Sequence, residues 1–114
     1  MHQAADQKIS KLDVHEKFLL GSDLNRTNAS AISVDTPVTL LESTGAAETR
    51  TLPQGREGQK KILICTTYVG DIVVTPTNLR GYTTITFAAA GRGCELAFYA
   101  GEWHVIGVGY ATLA

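Results

Sequence analysis

Beyond residue 30 the chain adopts an apolar–polar period of two, and that alternation restricts its fold more than any other feature of its 114 residues. In Thr83-Thr84-Ile85-Thr86-Phe87, the isoleucine and phenylalanine fall on one face and the threonines on the other. Turn signals rich in glycine and proline recur roughly every ten residues, the rhythm of a sandwich or barrel. Fourteen threonines, eight valines and seven isoleucines supply the β-branched side chains that suit a pleated surface. The expectation is an all-β fold, a small antiparallel β-sandwich or barrel over residues 31–114. Residues 1–30 precede it as an N-terminal arm and linker.

Within the β domain, Val38–Leu41 and Glu48–Leu52 read as short strands flanking a turn at Gly45, and Pro53–Gly58 as a loop. Lys60–Thr67 is a nearly continuous apolar strand, expected to be buried on both faces. Asp71–Thr75 is another strand, stopped by Pro76. Cys94–Tyr99 and Glu102–Val108 form a hairpin about Ala100-Gly101, with Leu96 and Phe98 on one face, and Trp103 and Val105 likewise. The polar stretch Ser22–Ser33 reads as a linker, and no internal repeat is visible.

The N-terminal part has a different character. Over residues 6–20, Ile9, Leu12, Glu16 and Leu19 stand three and four apart, with Asp6 placed as an N-cap and Gly21 as a stop. The stripe is thin, and a short helix and an extended arm are equally good readings. In either form Ile9, Leu12, Phe18, Leu19 and Leu20 are too apolar for a free tail and require a surface, their own β domain or another subunit. Together with Trp103 they are the expected interface residues.

Ten basic and 11 acidic residues leave a formal net charge of -1, which argues against phosphate neutralisation and hence against a nucleic-acid partner. No apolar run reaches the roughly 20 residues of a membrane helix. The opening residues lack the basic and apolar pattern of a secretory signal, so synthesis in a cytoplasm is expected. Cys65 and Cys94 are too few for a disulfide scaffold; two buried thiols are the simpler reading and a bridge the alternative. His2, His15, His104 and the cysteines show no zinc-ligand spacing, so no metal site and no cofactor are expected.

No catalytic residues emerge either. Glu95 and Glu102 flank the hairpin turn, where edge carboxylates are ordinarily solvated, and Gly91-Arg92-Gly93 reads as a turn and not a phosphate cradle. Asn25 and Asn28 match glycosylation acceptor patterns but read as turn or capping residues. Trp103 with Tyr82, Tyr99 and Tyr110 makes either a sugar platform or part of a core or subunit interface. A short chain of this kind is better explained as part of an assembly than as an enzyme.

From about Leu52 to Leu113 the chain resembles β-structured virion proteins of tailed bacteriophages, especially small ones of marine and cyanobacterial phages. The resemblance lies in the leucine before a Gly-rich turn and a lysine strand (Leu52-Pro53 to Gly58, then Lys60-Lys61-Ile62), followed by Val74-Thr75-Pro76-Thr77-Asn78-Leu79. Gly81 with Thr83–Phe87 comes next, and the closing pattern is Leu96, Phe98, Gly101, Trp103, Val105 and Ile106. Such proteins serve as capsid decoration (cement) proteins, head fibres, or parts of tail fibres and spikes, commonly as trimers. The resemblance therefore implies a bacteriophage virion structural protein without catalysis. The leading expectation is a capsid decoration protein that binds the major capsid protein on the outer capsid surface, stabilises the head and associates with itself as a homotrimer. The alternative is a tail-fibre or head-fibre component that binds carbohydrate.

Overall fold

The computed structural model describes residues 21–114, all of them in strands and connections. The helix-or-arm segment, with Ile9, Leu12, Phe18, Leu19 and Leu20, lies outside the described residues. Ten strands follow one another: β1 (Ser22–Asn25), β2 (Ser30–Ala31), β3 (Val38–Glu42), β4 (Glu48–Leu52), β5 (Lys60–Thr67), β6 (Ile72–Pro76), β7 (Ile85–Phe87), β8 (Gly93–Tyr99), β9 (Glu102–Gly109) and β10 (Thr112–Leu113). They form two five-stranded sheets, β1-β3-β5-β8-β9 (sheet A) and β10-β7-β6-β4-β2 (sheet B). The all-β sandwich is as expected.

Its pairing is not uniformly antiparallel. Successive strands from β1 to β6 alternate between the sheets, so β1, β3 and β5 pair in parallel in sheet A and β2, β4 and β6 in sheet B. The chain winds as a flattened coil before β7, β8, β9 and β10 close both sheets with antiparallel pairings. Val38 lies opposite Ile62 and Glu48 opposite Ile72, the same offset of 24 residues. Ser22 opposite Val38 is a shorter turn of the coil, and this unequal first turn hides the repeat in the sequence. The residues about Gly45 thus carry the chain from one sheet to the other. Gly70 is required there, since a Cβ at this position would meet the Ala47 nitrogen at 2.5 Å and the Gly45 carbonyl at 2.6 Å.

Between the sheets sits one core in which Leu41, Leu52, Leu63, Ile72, Val74, Ile85, Phe87, Leu96 and Trp103 are buried. Ile85 and Phe87 point inward together, as their alternation predicts. The β8–β9 hairpin also forms as expected, with Ala100 (φ 55) and Gly101 (φ 76) both left-handed, the geometry that matches the twist of a two-residue hairpin. β5 departs from expectation by alternating: Lys61, Leu63 and Cys65 point inward, while Ile62 and Ile64 remain partly exposed outside. Residues 22–33, expected as a linker, supply β1 and β2, so the sheets begin before residue 31. Among the described residues no helix is long and apolar enough to cross a membrane.

Candidate functional site

The inward side chains of β1 are Asp23 and Asn25; one buried cation bonds Asn25 directly, and another reaches Asp23 through two threonines. Lys61 reaches along the inner face of sheet A to donate from Nζ to the Thr36 carbonyl (2.7 Å), to Thr36 Oγ1 (3.2 Å) and to Thr39 Oγ1 (2.6 Å). Both hydroxyls donate in turn to Asp23 Oδ1, at 2.7 and 2.5 Å. The two threonines thus relay between an ammonium and a carboxylate that do not touch. Burial pushes Lys61 down to about 8, against the opposing pull of the Asp23 and Asp35 charges.

Arg50 performs the second fastening. It leaves β4 in sheet B and crosses to sheet A, donating from Nε to Asn25 Oδ1 (2.5 Å) and from Nη2 to the Glu42 carbonyl (2.9 Å). Its remaining bonds go to Glu48 Oε1 and the Thr49 carbonyl. The other oxygen of Glu48 accepts from the backbone N–H groups of Thr44 and Gly45, holding the crossing between β3 and β4. The Thr44 N–H, then Arg50, hold the Glu48 carboxyl below the ordinary carboxylate value. Among the described residues every buried side-chain nitrogen and oxygen has a hydrogen-bond partner. The buried charges therefore close one edge of the sandwich, and polar β1 becomes a strand because its inward side chains are satisfied there.

The expected site residues distribute as follows. Trp103 is buried in the core: its ring meets Phe98 edge-on at 5.1 Å, its Nε1 donates to the Pro53 carbonyl at 3.0 Å, and Gly55 sits against the indole face. It offers no surface to a sugar or a second subunit, so its assignment as an interface residue is corrected. The size of the indole and the need of its N–H for a partner both favour this enclosed seat. Tyr82, Tyr99 and Tyr110 are exposed, and Tyr99 lies 6.1 Å from the His104 ring. Glu95 and Glu102 do not converge, because Glu95 stands opposite Gly107 and Glu102 opposite Tyr99, roughly 13 Å apart along β8. Cys65 and Cys94 are free and buried; burial pushes both thiols up, Cys94 to about 11. Among the described residues no three His, Cys, Asp or Glu side chains gather as metal ligands. Asn28 lies in the turn between β1 and β2, one of the two readings expected of it, and accepts from the Thr49 N–H of β4, whereas Asn25, expected in a turn or cap, stands in β1 and belongs to the Arg50 fastening.

A shallow groove opens on the outer face of sheet A. Ile62 and Ile64 wall it, Glu95 borders it, and Gly91, Gly93, Gly107 and Gly109 leave its floor without side chains; its volume is about 350 Å³. Tyr110 stands at the neighbouring edge in the left-handed region (φ 62), its backbone bridged to Gly93. The sequence signal for this groove was the spacing of glycines in β8 and β9 opposite an isoleucine pair, which only the strand register brings together. No protein-family model and no curated protein matches the chain.

Proposed function

We propose that this is a bacteriophage virion structural protein, a capsid decoration protein that lies on the outer surface of the capsid, stabilises the head and catalyses no reaction. The observation that carries this reading is the fate of the buried charges. Arg50, Glu48 and Lys61 are bonded to the protein's own backbone and side chains, tying both sheets into a stiff plate. To that plate is attached, at Gly21 on the edge of sheet A, a segment rich in Ile9, Leu12, Phe18, Leu19 and Leu20. A rigid module with an apolar leader is suited to gripping a preformed lattice of major capsid protein and neighbouring copies. If the module is a homotrimer, three weak arms held together give an avidity that one arm lacks. Support also comes from the phage-like order of strand and turn patterns between Leu52 and Leu113.

Adding the full-length protein and a form lacking residues 2–20 to undecorated capsids tests this reading. Occupancy should fall steeply without the arm. Equal occupancy by both forms, or no binding by either, would overturn it. A second reading, a head-fibre or tail-fibre component that binds carbohydrate, draws on the parallel winding of β1 to β6, since stacked coil turns are the way shafts are built. In that case exposed Tyr99 and Tyr110, not buried Trp103, would meet the sugar. Loss of host adsorption on Tyr99→Ala and Tyr110→Ala, with capsid occupancy unaffected by arm removal, would favour it.

A further inference from the structure

The edges of the two sheets are unlike one another. β2 and β10 are two residues long, and β1 is four and turns Asp23 inward. β9 is eight residues long, and between Glu102 and Ala114 the sequence has no Lys, Arg, Asp or Glu. A long edge without charge or proline is a template for another strand, because its outward N–H and C=O groups lack partners. Only the start of β9 is covered: the Trp103 N–H donates to the Asn78 carbonyl at 2.8 Å, and the Trp103 carbonyl accepts from the Arg80 N–H at 2.9 Å. By strand alternation the N–H and C=O of Val105 point the same way as those of Trp103, and past the bulged Ile106 so do those of Val108. Among the described residues neither has a backbone partner on that side. Ile106, Val108 and Tyr110 are exposed beside them. We infer that β9 pairs antiparallel with β9 of a second copy, about a dyad between Ile106 and Gly107, so that two five-stranded sheets become one continuous sheet. This concerns the β module alone and does not depend on its being a virion component.

Three observations select a second copy as the occupant. The first is register. The groups available for bonding stand at 105 and 108, so an antiparallel dyad sets Val105 opposite Val108 of the second copy, each pair exchanging N–H···O bonds. Bulge then faces bulge, so the two strands bend and twist alike, and Ile106 lies over Gly107 of the second copy, which has no side chain to oppose it. The second is packing. Val105 rests against the core and Val108 stands opposite buried Cys94, so both side chains lie at the inner rim of sheet A. The dyad joins these valines across the seam and carries the core from one copy into the other. The third is charge. Arg92, whose Nη1 donates to the Tyr110 carbonyl at 3.3 Å, marks one end of this edge and Glu102 the other. The same register sets Tyr110 opposite Trp103, which brings Arg92 of each copy towards Glu102 of the other and places no like charges together. An unrelated extended chain has neither the matching bulge nor the matching ends. An edge roughly 26 Å long on two sheets about 10 Å apart presents on the order of 400–500 Å² per copy, the low end for specific interfaces, so the association is reversible.

Sedimentation of the full-length protein over a range of about 5–500 µM, suited to a small reversible interface, tests the inference. Ile106→Lys and Ile106→Glu alter a side chain that is 52% exposed, so both variants should keep the far-ultraviolet spectrum of a folded sheet. Each places like charges across the dyad and should weaken the association about a hundredfold or more, read as a halving of the associated mass. An equimolar mixture of the two variants should restore the wild-type mass, since opposite charges then face each other. Hydrogen exchange at the Val105 and Val108 amides should slow in the wild type as its concentration rises, and should stay fast in Ile106→Lys. A wild type of one mass throughout the range overturns the inference. So does an association that survives both single substitutions, or one that mixing fails to restore. Slow exchange at Val105 and Val108 at every concentration would make another part of the same chain the occupant of the edge, and overturns it equally.

Discussion

Lys61 is the residue at which polarity and position diverge most. In a strand expected to be apolar on both faces, Lys61 points inward opposite Leu96 of β8, and Thr36 and Thr39 receive it and link it to Asp23. Its folded value near 8 lies below the ordinary 10.5, so between these pH values the unfolded chain holds the additional proton. Stability contributed by this group must therefore rise from about pH 8 towards 10.5 and be flat below. The thiols act in the opposite sense near pH 9 to 11, because their folded values are raised, so the comparison must be made against Lys61→Met. The difference in urea midpoint between wild type and Lys61→Met should shift in favour of wild type as pH increases across that window; a constant difference would show that Lys61 does not titrate there. Arg50 gives a larger effect. Arg50→Ala strands Glu48 and three acceptors in the closed edge, and should cost about 3–5 kcal/mol by denaturant unfolding. Because Glu48 is held low, its share of stability is present above the ordinary glutamate value and is lost on acidification, so the acid limb should be shallower in Glu48→Gln.

At the level of elements, the hairpin and the alternating strand at Ile85 and Phe87 were legible because their signals are local: a two-residue turn and a period of two. β1 and β2 were not, because Ser, Asp and Asn carry low strand propensity and their partners, Arg50 and Lys61, lie 25 and 38 residues along the chain from Asn25 and Asp23. The groove escaped notice for a related reason, since a glycine in β9 acquires meaning only beside the isoleucines of β5. For Trp103 a core position was one of the readings the sequence left open, beside a subunit interface and a sugar platform; nothing in its own neighbourhood announces the Pro53 carbonyl and the Gly55 gap that decide for the core. The hairpin itself carries a correctable strain. Ala100 occupies a left-handed conformation that asparagine tolerates better, so Ala100→Asn should stabilise the protein by about 0.5–1 kcal/mol, read as a higher denaturant midpoint at unchanged slope.

For the whole molecule, the alternation of β1 to β6 between sheets means that none of β1 to β5 pairs with its immediate successor. Every pairing from β1 to β5 and from β2 to β6 spans a full circuit of the coil, and such non-local contacts slow folding to the millisecond-to-second range. Among the described strands only β6–β7 and β8–β9 pair with their sequence neighbours, and β8–β9, closed by a two-residue turn, is the more local of the two and can form first. Ala100→Asn should accordingly speed refolding with little change in unfolding, whereas Arg50→Lys, which weakens the last edge to close, should mainly accelerate unfolding; stopped-flow chevrons distinguish the two patterns. The same winding has a consequence for biosynthesis. A ribosome releases the coiled half first and the nucleating hairpin last, so translation runs against the order of assembly. Until its final thirty or so residues emerge, the nascent polypeptide holds its future core strands without a template, and production of this protein should be unusually sensitive to early termination and to holdase chaperones.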